Sequence, residues 1–138
     1  MEKPFLGVIA DDYTGATDIA SMLVRGGMRT VQTIGIPSEK LAKSLQADAV
    51  VIALKSRSIA PEAAVAQSLE ALARLQALGA KQIFFKYCST FDSTPQGNIG
   101  PVSDALCAAI GAGTITHIPA LPVNGRSVYQ GHLFVGAD

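Results

Sequence analysis

Short apolar runs alternate along this chain with segments whose apolar positions recur at helical spacing. Phe5-Leu-Gly-Val-Ile-Ala10 reads as a buried strand, and residues 15–25 as a helix closed by Gly26-Gly27. Thr30–Ile34 is a second strand. Ser38 caps a short helix through Leu45, with Glu39 in its first turn. Within residues 48–54, Ala-Val-Val-Ile-Ala-Leu is apolar on both faces, as expected of a parallel strand covered by helices. Pro61 opens a long helix whose stripe is Val65, Leu69, Leu72 and Leu75, and Gly79 ends it. Gln82–Lys86 is the fourth strand. Pro101 opens a helix with Val102, Leu106 and Ile110 facing inward, and residues 114–118 form a fifth strand.

This alternation predicts an α/β fold, a doubly wound and mainly parallel sheet in three layers with right-handed crossovers. After Pro119 the pattern changes: residues 119–126 read as a loop, and residues 128–130 and 133–135 as a C-terminal hairpin around Gly131-His132. The stop at Asp138, with no helix to cover the hairpin, has the look of a cut in a longer chain.

Composition narrows the function classes. The 138 residues make one domain, and 49% hydrophobic with 16% charged content favours a packed core. Eleven basic and eleven acidic residues cancel, leaving no electrostatic footprint for nucleic acid or an anionic membrane. No apolar run approaches the roughly 20 residues of a membrane helix, and the N-terminus lacks a signal-peptide pattern. The two cysteines, Cys88 and Cys107, form no CxxC pair or His/Cys cluster, so no metal site is expected, and Cys107 reads as a small core residue. The cytoplasm is the simplest compartment.

The chemistry lies in the loops that follow the strands, where open α/β sheets bind ligands. After strand one, Asp11 and Asp12 can accept sugar hydroxyls, hold Mg²⁺ through water or act as a base, and Thr14-Gly15 opens a helix whose N–H groups suit an anion. The structural alternative is that one Asp merely caps that helix. After strand three, Lys55-Ser56-Arg57 offers a two-pronged partner for a carboxylate, or else a solvated loop. After strand four, Lys86, Asp92, Ser93, Thr94, Gly97 and Asn98 combine a cation, a carboxylate, hydroxyls and an amide with a glycine that lets backbone approach a ligand. The alternative is a self-bonded turn. Asn124 and Arg126 lie in a segment that is first of all a turn, and His132 reads as a structural hydrogen-bonder. The loops after strands one, three and four are expected to converge on one cleft suited to a small, hydroxyl-rich anion, with Arg57, Lys86 and Arg126 as rival carboxylate partners.

Four segments in order, Ala10-Asp-Asp-Tyr-Thr-Gly-Ala-Thr-Asp18, Lys55-Ser-Arg57, Lys86-Tyr-Cys-Ser-Thr-Phe-Asp-Ser-Thr-Pro-Gln-Gly-Asn98 and Pro119-Ala-Leu-Pro-Val-Asn-Gly-Arg126, resemble the amino-terminal part of the four-carbon acid sugar kinases, nearest their 3-oxo-tetronate branch. The resemblance implies a two-domain, ATP-dependent enzyme that phosphorylates a hydroxyl of a four-carbon sugar acid. Residues 1–138 would be its sugar-acid-binding domain, inactive alone. ATP and Mg²⁺ would bind mainly on a nucleotide-binding C-terminal domain outside this chain, and no Gly-x4-Gly-Lys-Ser/Thr pattern occurs here. Implied substrate-binding residues are Asp12, Thr14, Gly15, Lys55, Ser56, Arg57, Lys86, Asp92, Ser93, Thr94, Gly97, Asn98, Asn124 and Arg126. Asp11, Asp12 and Asp92 are the candidates for orienting the attacking hydroxyl, and the base is not assignable among them. Expected partners are the sugar acid, the absent domain and another copy of the chain.

Two other classes compete. A receiver domain needs an acid at the end of strand three, where this chain has Ala53-Leu54-Lys55. A non-catalytic ligand or interaction module would use the same loops for a partner.

Overall fold

The computed structural model describes residues 3–88 and 94–136. Strands β1 (Leu6–Ala10), β2 (Thr30–Ile34), β3 (Ala49–Ala53) and β4 (Gln82–Lys86) alternate with helices α1 (Tyr13–Arg25), α2 (Glu39–Ser44), α3 (Pro61–Leu78) and α4 (Ile99–Ile110). The four strands form one parallel sheet in the order β2-β3-β1-β4. β1 and β3 are buried along their whole length, which explains why both read as continuous apolar runs.

Residues on alternate sides of these strands feed two cores. Val8, Ala10, Val51 and Ala53 pack with Ala16, Ile19 and Leu23 of α1 on one face. Ile9, Val50 and Ile52 pack with Leu72 and Leu75 of α3 and with Val102 and Leu106 of α4 on the other. The result is the expected three-layer arrangement. At the far end of the sheet the Arg29 guanidinium grips Asp48 with both prongs, Nε to Oδ2 at 3.0 Å and Nη2 to Oδ1 at 2.6 Å. That contact holds the Asp48 carboxyl down at about 2 and pins the starts of β2 and β3 together.

The C-terminal segment forms β5 (Arg126–Tyr129) and β6 (His132–Val135), an antiparallel hairpin. Gln130 and Gly131 both have positive φ, 47° and 79°, the backbone that a two-residue hairpin turn requires.

Four expectations change. The span 119–126 contains a 3-10 turn at Pro122–Asn124 and a bridge between Leu121 and Arg126, so it is more ordered than a loop. Residues 114–118 add no strand to the sheet: Thr114, Ile115 and Ile118 are exposed, and His117 instead stacks on Tyr87 with ring centroids 6.3 Å apart. Ile110 faces outward and is 44% exposed, because residues four apart on a helix drift about 40° per step away from the row they started in. Cys107 is half-buried, its thiol directed at the Ala112 carbonyl 3.1 Å away.

The two faces of this assignment can be separated by mutation. Leu75→Ala, at a site with no exposed surface, should cost about 2–5 kcal/mol, whereas Ile110→Ala should cost about 0.5 kcal/mol or less. Urea unfolding of both variants checks this, and a large loss at Ile110 would restore it to the core.

Candidate functional site

β1 lies between β3 and β4 in matched register, Ala10 opposite both Ala53 and Lys86. The three strands therefore end level, and their loops start side by side. Asp11, the next residue of β1, is stitched into both neighbours through its backbone. Its N–H donates to the Lys86 carbonyl at 3.1 Å, and its carbonyl accepts from Ser56 N–H at 3.0 Å and Arg57 N–H at 3.2 Å.

The Asp11 side chain is buried, 5% exposed. Its Oδ2 accepts from Cys88 N–H at 3.2 Å, while its Oδ1 has no hydrogen-bond partner. Burial above all, then the negative charge of Asp12, pushes the Asp11 carboxyl up to about 6 against the opposing pull of Cys88 N–H, Lys86 and Arg57.

Asp12 has different work. It is the N-cap of α1, with Oδ1 accepting from Gly15 N–H at 2.7 Å. Its Oδ2 lies 3.6 Å from Arg57 Nη1, a partly exposed pair that ties the β1 and β3 loops together with little energy. A Cβ at Gly15 would meet Asp12 Oδ1 at 2.6 Å and Lys86 Nζ at 3.5 Å, so this glycine admits both the cap and the ammonium. Lys86 Nζ donates to the Tyr87 carbonyl at 2.7 Å.

A cleft of about 240 Å³ opens here, lined by Asp11, Arg57, Ser58, Cys88, Gly97, Asn98 and Ile99. It is below the roughly 300–1,000 Å³ of drug-sized ligand sites, so it suits a small molecule. A comparable hollow of about 210 Å³ between α2 and α3 is lined by Glu39, Lys43, Arg74 and apolar residues and contains none of the candidate residues.

Of the residues singled out from sequence, the structure brings Asp11, Arg57, Gly97 and Asn98 into the cleft and sets Asp12, Gly15 and Lys86 at its edge. Ser56 is buried and contributes its backbone. Lys55, Thr14 and Thr94 are exposed and do not line it. Gly97 N–H closes a turn on the Thr94 carbonyl at 2.9 Å. Asn124 and Arg126 sit at the base of the C-terminal hairpin, and no hydrogen bond or ion pair among the described residues links them to the cleft. Asp92 and Ser93 lie outside the described residues. Cys88, Ser58 and Ile99 line the cleft and were not anticipated. Cys88 acts through its backbone N–H, which no residue-type argument would single out.

Residues 6–138 match the model of a family described as the sugar-binding N-terminal domain. The chain belongs to this family. Among the relatives of this sugar-binding domain, a 3-oxo-tetronate kinase of Pseudomonas fluorescens is 65% identical over 96% of the chain, and the chain spans 31% of that relative's length. A solved chain from Salmonella typhimurium LT2, provisionally labelled a tRNA synthase, superposes with a TM-score of 0.93 at 55% identity, covering 99% of this chain and 32% of that one. A Bordetella bronchiseptica domain with bound citrate, described as a domain-swapped dimer, gives a TM-score of 0.83 at 34% identity, covering 96% and 33%.

The raised Asp11 carboxyl has a signed consequence. Its folded value, about 6, exceeds the ordinary 3.8, so between these values the folded protein binds more protons than the unfolded one. Asp11 therefore costs stability increasingly as pH rises from about 4 to 6, and fully above that. Asp11→Asn should melt higher than wild type at pH 7.5, with the gap closing toward pH 4. Thermal melts across this range check it, and a gap independent of pH would assign the titration elsewhere.

Proposed function

We propose that this domain holds the sugar acid for an ATP-dependent kinase acting on a 3-oxo-tetronate-like four-carbon substrate. The observation that carries the reading is the Asp11 carboxylate, buried with one oxygen unpartnered, in the same small cleft as the Arg57 guanidinium. A sugar acid offers the complementary pair, a carboxylate for Arg57 and hydroxyls for Asp11. The names of the curated relatives support the substrate class, and the citrate of the Bordetella neighbour supports a small hydroxy-carboxylate in this fold.

Within this reading Asp11 accepts the proton of the attacking hydroxyl. Its carboxyl, pushed up to about 6, is ionised at neutral pH yet more basic than an exposed carboxylate. Asp12 is committed to Gly15 and Arg57. Asp92 remains the rival base. Among the described residues no three His, Cys, Asp or Glu side chains cluster, and the chain carries no Gly-x4-Gly-Lys-Ser/Thr pattern. The reading assigns ATP and Mg²⁺ to the remaining two thirds of the longer relatives. The 138 residues alone then bind the acid but transfer no phosphate. Association with a second copy, as described for the Bordetella domain, and a cytoplasmic setting with its ATP supply belong to the same reading. Among the described residues no helix is long and apolar enough to cross a membrane.

Calorimetric titration with a 3-oxo-tetronate, without nucleotide, tests the proposal. Wild type should bind, and Arg57→Ala should weaken binding by about 1.5–3 kcal/mol, the usual worth of a hydrogen bond to a charged group, with little change in melting temperature. Unchanged affinity in the folded variant would transfer the carboxylate to Lys86 or Arg126. No binding by wild type would leave the non-catalytic module as the better reading.

A further inference from the structure

Asn98 lines the cleft, and as a residue type it is a natural ligand donor. Its amide nitrogen is already in use. Nδ2 lies 2.6 Å from the Ser56 carbonyl, 3.0 Å from that of Ile59 and 3.2 Å from that of Arg57. Two N–H bonds shared among three acceptors leave no donor for a ligand. Nor does Asn98 cap helix α4 in the usual way, since its side chain makes no bond to the helix and only its carbonyl accepts, from Val102 N–H at 3.0 Å. The side chain reaches instead across some 40 residues of sequence to the turn after β3.

That turn is held from two directions. The Asp11 carbonyl takes the N–H groups of Ser56 and Arg57, and the Asn98 amide takes the carbonyls of Ser56, Arg57 and Ile59. Between the two clamps the backbone of Arg57 has little freedom, and its guanidinium is aimed at Asp12 and the cleft. We infer that Asn98 is a positioning residue that fixes the 56–59 turn, and through it the direction of Arg57, rather than a hydrogen-bond donor to the sugar acid. This rests on the proposed role of Arg57 in substrate binding, but the clamp itself is a property of the free protein.

The experiment has two arms on the same variants. In the first, amide hydrogen exchange of the ligand-free protein compares wild type with Asn98→Ala and Asn98→Asp. Exchange at Ser56 and Arg57 should accelerate in both variants while β1 and β3 keep their protection. Unchanged exchange at the turn would overturn the inference. In the second, binding of a 3-oxo-tetronate is measured in a double-mutant cycle with Arg57→Ala. Asn98→Ala should weaken binding roughly tenfold in the wild-type background and less than about twofold once Arg57 is gone, because the two substitutions remove one interaction. Full additivity would make Asn98 a ligand contact and overturn the inference. If wild type binds no tetronate, the proposed function falls, while the exchange arm still decides the clamp. A melt within a few degrees of wild type shows that either variant has folded. If Asn98→Ala does not fold, Asn98→Asp, nearly the same shape, carries the exchange arm, which by itself decides the clamp.

Discussion

Because Ala10 is level with both Ala53 and Lys86, the backbone of the next residue is caught between two neighbouring strands as the sheet ends. Asp11 gives its N–H to one side and its carbonyl to the other. A slip of one residue in either pairing would turn every β1 side chain to the opposite face and carry the acidic pair away from Arg57. The apolar runs of β1 and β3, buried on both faces, hold that register. The core is thus what fixes the position of the cleft's polar atoms, and the loops inherit their places from it.

The electrostatics of the cleft are unbalanced in a way that packing alone would not favour. A carboxylate with one oxygen unpartnered is buried beside a second acid, and the nearby cations offset only part of its desolvation. Structural sites rarely tolerate such a group, and departures of this kind concentrate where a ligand completes the hydrogen bonding. The Arg29–Asp48 pair at the other end of the sheet is the contrast: fully matched, exposed and structural.

Most of the sheet was legible because its signal is local. The β2 and β4 bounds, the Ser38 cap and the Gly79 terminus follow from residue type and spacing. Residues 114–118 failed because Thr-Ile-Thr-His-Ile has strand alternation but no ladder partner beside β4 in the described structure, where His117 meets Tyr87 instead. Ile110 failed because a helix face is set by what α4 rests on and not by a row extended from its first turn. In the site, residue types at the strand ends were enough to assemble Asp11, Asp12, Arg57, Lys86 and Gly97. They could not show that the Asn98 amide is spent on the turn 56–59, or that the Cys88 contribution is a backbone N–H, since both depend on which backbone groups the fold leaves open.

The adjacent acids at the end of β1 look interchangeable in a sequence, two copies of one residue in the same loop. In the structure one is buried at the wall of the cleft with an oxygen unpartnered, while the other is tied to a helix terminus and an arginine. The doubling is therefore no spare part. Neither acid makes the contacts of the other, so a chain with a single acid here would lack either the cap on α1's first turn or the buried carboxylate of the cleft.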